Sequence, residues 1–146
     1  EMKEVQSSHP DIFYVGFVQD AQKEYVEATL TIAALSNESL PAADDLGVGP
    51  AAYMNGLAEA ASELRRSILD QLRAGELETA ERLLGFMDMV YAALITLDYP
   101  DAVTRGLRRT TDQFRAVLER TRSDLTVAAR QLALEERLRQ VADGLE

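Results

Sequence analysis

Apolar residues recur at intervals of three and four along most of the chain, and no alternating β-branched run sits between turn signals. Spacing of that kind gives helices with one buried face, whereas alternation would indicate strands. Four principal helices are predicted. The first follows the turn signal His9-Pro10 and runs from about Asp11 to Ser36. Ser36 to Pro50, with its Pro, Gly and paired Asp, reads as a loop. Pro50 suits the first turn of a second helix, which continues to about Ala74 until Gly75 stops it. The third spans about Glu76 to Leu97 on Leu83, Leu84, Phe86, Met87, Val90, Leu94 and Leu97. After the break Asp98-Tyr99-Pro100-Asp101, Asp101 caps a fourth helix that reaches about Gly144.

Short connections place these helices antiparallel to their neighbours. The expected fold is an all-α antiparallel helical bundle with a long C-terminal helix, one domain over residues 1–146. Beyond about Ala128 the last helix has little to pack on within one subunit, so Leu132, Leu138, Val141 and Leu145 call for a partner subunit. Met54, Met87 and Met89 read as core gap-fillers, and Asp88 as a residue at the edge of the buried face.

Two pairs of acids stand out against this frame: Glu24 with Glu27, and Glu59 with Glu63. Residues three or four apart share a helix face, so each pair concentrates negative charge. The stripe through Glu24 also holds Phe13, Phe17, Asp20, Ala21, Glu27, Ala28, Thr31 and Leu35, while Ile12, Tyr14, Val15, Val18, Val26, Leu30 and Ile32 occupy its other sides. A helix apolar nearly all round is normally buried, and buried carboxylates need partners or a metal. The second helix is amphipathic, with Tyr53, Leu57, Ala60, Ala61, Leu64 and Ile68 on one face, leaving Asn55, Glu59, Ser62, Glu63, Arg66 and Asp70 free to face water. Four acids brought together would favour a divalent cation such as magnesium; the plainer alternative is solvation and ion pairing.

Composition narrows the chemistry. The absence of cysteine excludes disulfides and thiolate metal sites and fits an intracellular, cytoplasmic protein. A single histidine, His9, excludes a site built on two imidazoles, and its place before Pro10 argues against a Ser-His nucleophile. No apolar run is long enough to span a membrane, so no membrane partner is expected. The net charge of −10 opposes nucleic-acid binding, yet residues 105–122 hold six arginines against two acids, a local charge of +4 that leaves −14 elsewhere. Only Lys3 and Lys23 are lysines, and such an acidic, lysine-poor chain is similar to proteins from salt-rich cytoplasm. A solvated face with ion pairs to Asp112 and Glu119 is the structural alternative for the arginines.

The segment Gln22-Lys23-Glu24-Tyr25-Val26-Glu27-Ala28 resembles the Q-E-Y-V-E-A pattern of the translin family. Tyr53-Met54-Asn55-Gly56-Leu57-Ala58-Glu59-Ala60-Ala61-Ser62-Glu63-Leu64-Arg65-Arg66 is similar to that family's Y-L-L-G-V-A-D-L-T-G-E-L-M-R, and Leu107-Arg108-Arg109 through Asp124-Leu125 matches its last helix more loosely. The resemblance covers about Ile12 to Arg130 and is nearest to translin-associated factor X and its prokaryotic relatives. It implies an all-helical subunit of a hollow, roughly octameric shell that holds RNA or single-stranded DNA. Because relatives carry further helices before the region starting at Glu1, it also implies a domain lacking N-terminal helices. In catalytic members, acids from two helices form a magnesium-dependent endoribonuclease site, and the matching positions are Glu24, Glu27, Glu59 and Glu63. Glu59 departs from the family's Asp, and its extra methylene shifts a bound metal by about an ångström.

The resulting expectation is a metal-dependent endoribonuclease subunit that binds magnesium, acts on RNA and forms a homo-oligomer. Metal ligation falls to Glu24, Glu27 and Glu59, with Glu63 as ligand or water-orienting base. Arg105, Arg108 and Arg109 would meet phosphates, while Arg66 either pairs with the acids or meets a phosphate. One alternative is an inactive translin-like protein that binds single-stranded RNA or DNA; another is a helical scaffold whose acids serve solubility.

Overall fold

A computed structural model describes residues 16–144. The described chain is helical, with no strand: α1 (Gly16–Leu35), α2 (Ala43–Leu46), α3 (Pro50–Ala74), α4 (Leu77–Leu94), α5 (Asp101–Thr104) and α6 (Leu107–Asp143). The expected antiparallel bundle with a long C-terminal helix is the fold observed. The start of the first helix, with Asp11 to Val15, lies outside the described residues, as do the His9-Pro10 turn and Leu145. Among the described residues, no helix is long and apolar enough to cross a membrane.

The bundle is organised around α3, which packs against α1, α4 and α6. Pro50 opens α3 as its first residue, and Gly75 closes it in the left-handed region at φ 80°, donating to the carbonyls of Gln71 and Leu72. These are the boundaries read from the sequence. Ala52, Gly56, Ala60 and Ala61 keep its buried face narrow, while Leu57, Leu64 and Ile68 fill the core with Leu30, Leu83, Met87, Phe114 and Leu118. Phe114 also meets Tyr91 edge-on, with ring centroids 6.2 Å apart.

Several boundaries and faces differ from expectation. The loop before α3 contains the single turn α2, because the Asp45 carboxylate accepts the Ala42 N–H at 3.0 Å and Gly47 ends the turn at φ 65°. Helix α4 ends three residues before Leu97, where tight bonds from Thr96 and Leu97 back to Ala93 and Leu94 close the last turn. Asp101 begins α5 instead of capping the long helix. Arg105 and Gly106 then take consecutive left-handed conformations, φ 52° and 82°, which no helix can continue through, so α6 starts only at Leu107. Met87 is a core residue as expected, whereas Met89 points outward and is exposed. Asp88, at the edge of the buried face, pairs with Arg122.

Helix α1 buries only one face, through Gln22, Val26, Leu30, Ala33 and Ala34. Phe17, Tyr25 and Ile32 are more than half exposed, so its all-round apolar character does not bury it within one subunit. On α6 the last buried side chain is Leu125, and Val127, Leu134, Leu138 and Val141 beyond it are exposed. The overhang expected past Ala128 is therefore present.

The tightest contact in the bundle is at Gly56. A methyl group there would lie 2.7 Å from Val26 Cβ and Cγ1 and 2.8 Å from the Lys23 carbonyl oxygen. Alanine gains about 1 kcal/mol over glycine in helix propensity, but pushing two helices apart costs about 1–3 kcal/mol. Because the backbone oxygen cannot rotate away, the clash wins. Gly56→Ala is expected to lower the thermal unfolding midpoint, and adding Val26→Ala should recover only part of the loss, since the Lys23 carbonyl remains. A Gly56→Ala protein as thermostable as its parent would show that α1 and α3 approach less closely.

Candidate functional site

The Gly56 contact sets Lys23 and Glu27 of α1 against Glu59 and Glu63 of α3. Lys23 Nζ donates to Glu59 Oε1 at 2.9 Å, with both side chains about one-third exposed. The partly buried Glu27 carboxyl is pushed above the usual glutamate range by desolvation, then by the Glu59 charge, a hydrogen bond with Glu59 and the Glu63 charge, with Lys23 opposing. The hydrogen bond to Glu59 chiefly raises the Lys23 pKa. Glu63 and Glu24 are exposed, and Glu24 makes no hydrogen bond or ion pair among the described residues.

The structure thus brings Glu27, Glu59 and Glu63 into mutual electrostatic range and leaves Glu24 on the solvent side of α1. Among the described residues, no three acids stand close enough to cage a metal ion. Magnesium needs no such cage, since it is commonly held through one or two carboxylates plus waters, a donor set that neighbouring Glu27 and Glu59 can supply. The positive charge already at that place is the Lys23 ammonium.

Asn55, one turn before Glu59, was expected to face water but is buried. Its Nδ2 donates to Ala51 O and Thr104 O, both at 2.9 Å, and its Oδ1 accepts from Thr110 Oγ1 at 2.8 Å. This amide ties α3 to both sides of the α5–α6 break. A cleft of about 260 Å³ opens beside it, lined by Asp20, Lys23, Asn55, Glu59, Arg105 and Thr110 among others. Arg108 and Arg109 line a different, wider groove of about 960 Å³ with Asp98, Tyr99, Asp101 and Asp112. Arg105, Arg108 and Arg109 are exposed and form no ion pair among the described residues, so the alternative of ion pairs to Asp112 and Glu119 does not hold for these three. Arg66 is likewise exposed and forms no ion pair with the acids. Sequence reasoning missed Lys23 and Asn55 as site residues; the available signal was their position, each four residues before one of the acids.

A helical bundle joined at an acid-bearing contact, with its last helix overhanging, defines the class of protein. The chain is similar to the crystal structure of AfC3PO, with a TM-score of 0.78 and 36% identity over 88% of this chain and 68% of that one. It is also similar to AfC3PO in its complex with duplex RNA, at TM-score 0.79 and 39% identity over 88% of this chain and 66% of that one. An uncharacterized protein of Methanocaldococcus jannaschii is 33% identical over 133 residues, 90% of this chain and 60% of its own length. No family model matches the chain. The chain belongs to the translin family. It spans about two-thirds or less of the length of the M. jannaschii protein and of AfC3PO in the RNA complex.

The raised Glu27 carboxyl makes a prediction about stability. A folded-state pKa above the unfolded value means the folded chain holds the proton more tightly, so the Glu27 contribution to stability is fully present at acid pH and is lost as pH rises through the raised value. Glu27→Gln is expected to unfold at a higher temperature than the parent at pH 7 and to converge with it below about pH 4. Melting curves that stay equally separated at both pH values would mean that Glu27 carries no such penalty.

Proposed function

We propose that this chain is a cytoplasmic, homo-oligomeric subunit, within an octamer-like shell, of a magnesium-dependent endoribonuclease that acts on RNA and also accepts single-stranded DNA. The observation that carries the proposal is the Glu27–Glu59–Glu63 grouping across the α1–α3 contact, in a relative of a protein solved with duplex RNA. Glu27 and Glu59 are the carboxylates that would hold magnesium and Glu63 the nearby ligand or water-orienting base, while Glu24 would be an outer acid on the solvent side of α1. Magnesium, when bound, supplies Lewis acidity towards a phosphoryl oxygen and a lowered pKa for its water. The surrounding residues position the strand: Lys23 is poised to exchange Glu59 for a phosphate. The exposed apolar residues on the α6 overhang and on α1 support self-association.

A second reading, an inactive translin-like strand binder, is favoured by one specific contact. The Lys23 ammonium on Glu59 Oε1 supplies internally the charge compensation that a metal would otherwise bring. RNA cleavage by the purified protein, with magnesium and with chelator, at high and low salt, separates the two. The expected result is cleavage with magnesium that chelator abolishes, and a loss on the order of 10²-fold or more in Glu27→Gln and Glu59→Gln with RNA binding retained. Strand binding without cleavage by the parent would establish the second reading.

The arginine groove gives a separate prediction. Neutralising Arg108 or Arg109 should weaken binding for all RNA sequences alike and reduce the slope of log affinity against log salt by about 0.7–0.9 per contact. Unchanged slopes in both variants would place the strand on another surface.

A further inference from the structure

The three arginines are not equivalent. Arg108 and Arg109 sit in the first turn of α6 and face the wide groove beside Tyr99, while Arg105 lies before the helix and lines the cleft that contains Glu59 and Lys23. Its position is specified by structure rather than by helix register. Arg105 has a left-handed backbone, which glycine adopts freely and arginine does not, and only Asn37 shares that feature among the described non-glycine residues. The conformation is locked from α3: the buried Asn55 amide donates to the carbonyl of Thr104, immediately before Arg105, and accepts from Thr110 just beyond it. Asn55 stands one turn from Glu59, so one side chain ties the backbone beside Arg105 to the helix that carries Glu59 and Glu63.

We infer that Arg105 is the residue that seats an RNA phosphate at the Glu59 end of the acidic site, with Asn55 as its positioning residue, whereas Arg108 and Arg109 bind the flanking strand. The inference rests on the RNA-binding part of the proposed function. Three features support it together. The guanidinium is exposed and without an ion pair among the described residues, so it has charge to offer. Across the cleft, Lys23 adds a second cation whose present partner is a carboxylate that a phosphate can replace. The planar guanidinium can grip two phosphate oxygens at once, which fixes orientation as well as charge.

Arg105→Gly is the informative variant because glycine occupies the left-handed conformation without strain, so the α5–α6 break and the fold are retained. Lys23 is one of only two lysines, which makes its 13Cε resonance a clean reporter in a titration with a short single-stranded oligoribonucleotide and chelator, under which no metal-dependent cleavage occurs. The expected result is a Lys23 shift on RNA addition in the parent and in Arg108→Ala, and none in Arg105→Gly, although that variant still binds the strand through the other groove. With magnesium, single-turnover cleavage at saturating RNA should fall on the order of 10²-fold in Arg105→Gly and be partly restored by added guanidinium ion. A Lys23 resonance that stays still while the parent binds RNA, or that shifts equally in Arg105→Gly, overturns the inference. Should Lys23 respond as expected in a parent that never cleaves, the phosphate seat stands and the nuclease reading falls.

Discussion

The absence of a side chain at Gly56 governs the rest of the structure. With Val26 and the Lys23 carbonyl already within 3 Å of where a Cβ would lie, α1 and α3 meet almost backbone to backbone. Ala52 and Ala60, one turn to either side on α3, keep the same face small. Close approach shortens the gap that polar side chains must span. Lys23 reaches Glu59 directly, and Glu27 lies near enough to Glu59 and Glu63 for their charges to alter its proton affinity. A wider crossing would hold the same residues apart in water, where their interaction would be screened to little effect. The acidic site is thus a consequence of packing, and a single methyl group at position 56 disturbs both.

Charge in this contact is arranged to be incomplete. One ammonium faces three carboxylates: Glu59 is compensated, while Glu27 is pushed up first by its own desolvation and then by the charges of Glu59 and Glu63. Elsewhere in the bundle, acids and arginines are matched more fully: Arg65 joins Asp124 at 2.7 Å and also donates to Thr121, and Asp88 pairs with Arg122. Those pairs tie α3 and α4 to α6 and leave no comparable surplus. The contrast distinguishes a bundle-stapling ion pair from an acid cluster with unspent negative potential.

How much of this was legible depends on which residues carried the signal. Pro50 and Gly75 are strong punctuation, so α3 was read to its observed ends. The α5–α6 break was not read, although Gly106 marked it, because Arg105 is a residue type that rarely turns left-handed and its conformation depends on Asn55, fifty positions earlier. The two glutamate pairs were correctly placed on facing helices, but periodicity alone could not say which edge of α1 meets α3. Glu27 falls on that edge and Glu24 does not, because the buried stripe runs through Gln22, Val26 and Leu30 instead of through Phe17 and Glu24. An apolar residue on a helix likewise gives no warning of which side will be covered, as exposed Ile32 and Met89 show.

Two features around Glu59 run against stability. Arg105 holds a backbone conformation that glycine would adopt for about 1 kcal/mol less, and Glu27 keeps an acid where a neutral amide would avoid both desolvation and repulsion. Each has a simple stabilising replacement, and neither is needed to fill the core, which closes on Leu30, Leu64, Met87 and Phe114 without them. Strain and unrelieved charge scattered at random would mean little. Here they converge on one carboxylate: Glu27 is coupled to Glu59 from the α1 side, and Arg105 shares its cleft from the α5–α6 side. A bundle shaped by packing alone has no reason to place both liabilities at the same point, whereas a site that must attract a phosphate to a group of acids needs a cation held there and negative charge left available beside it.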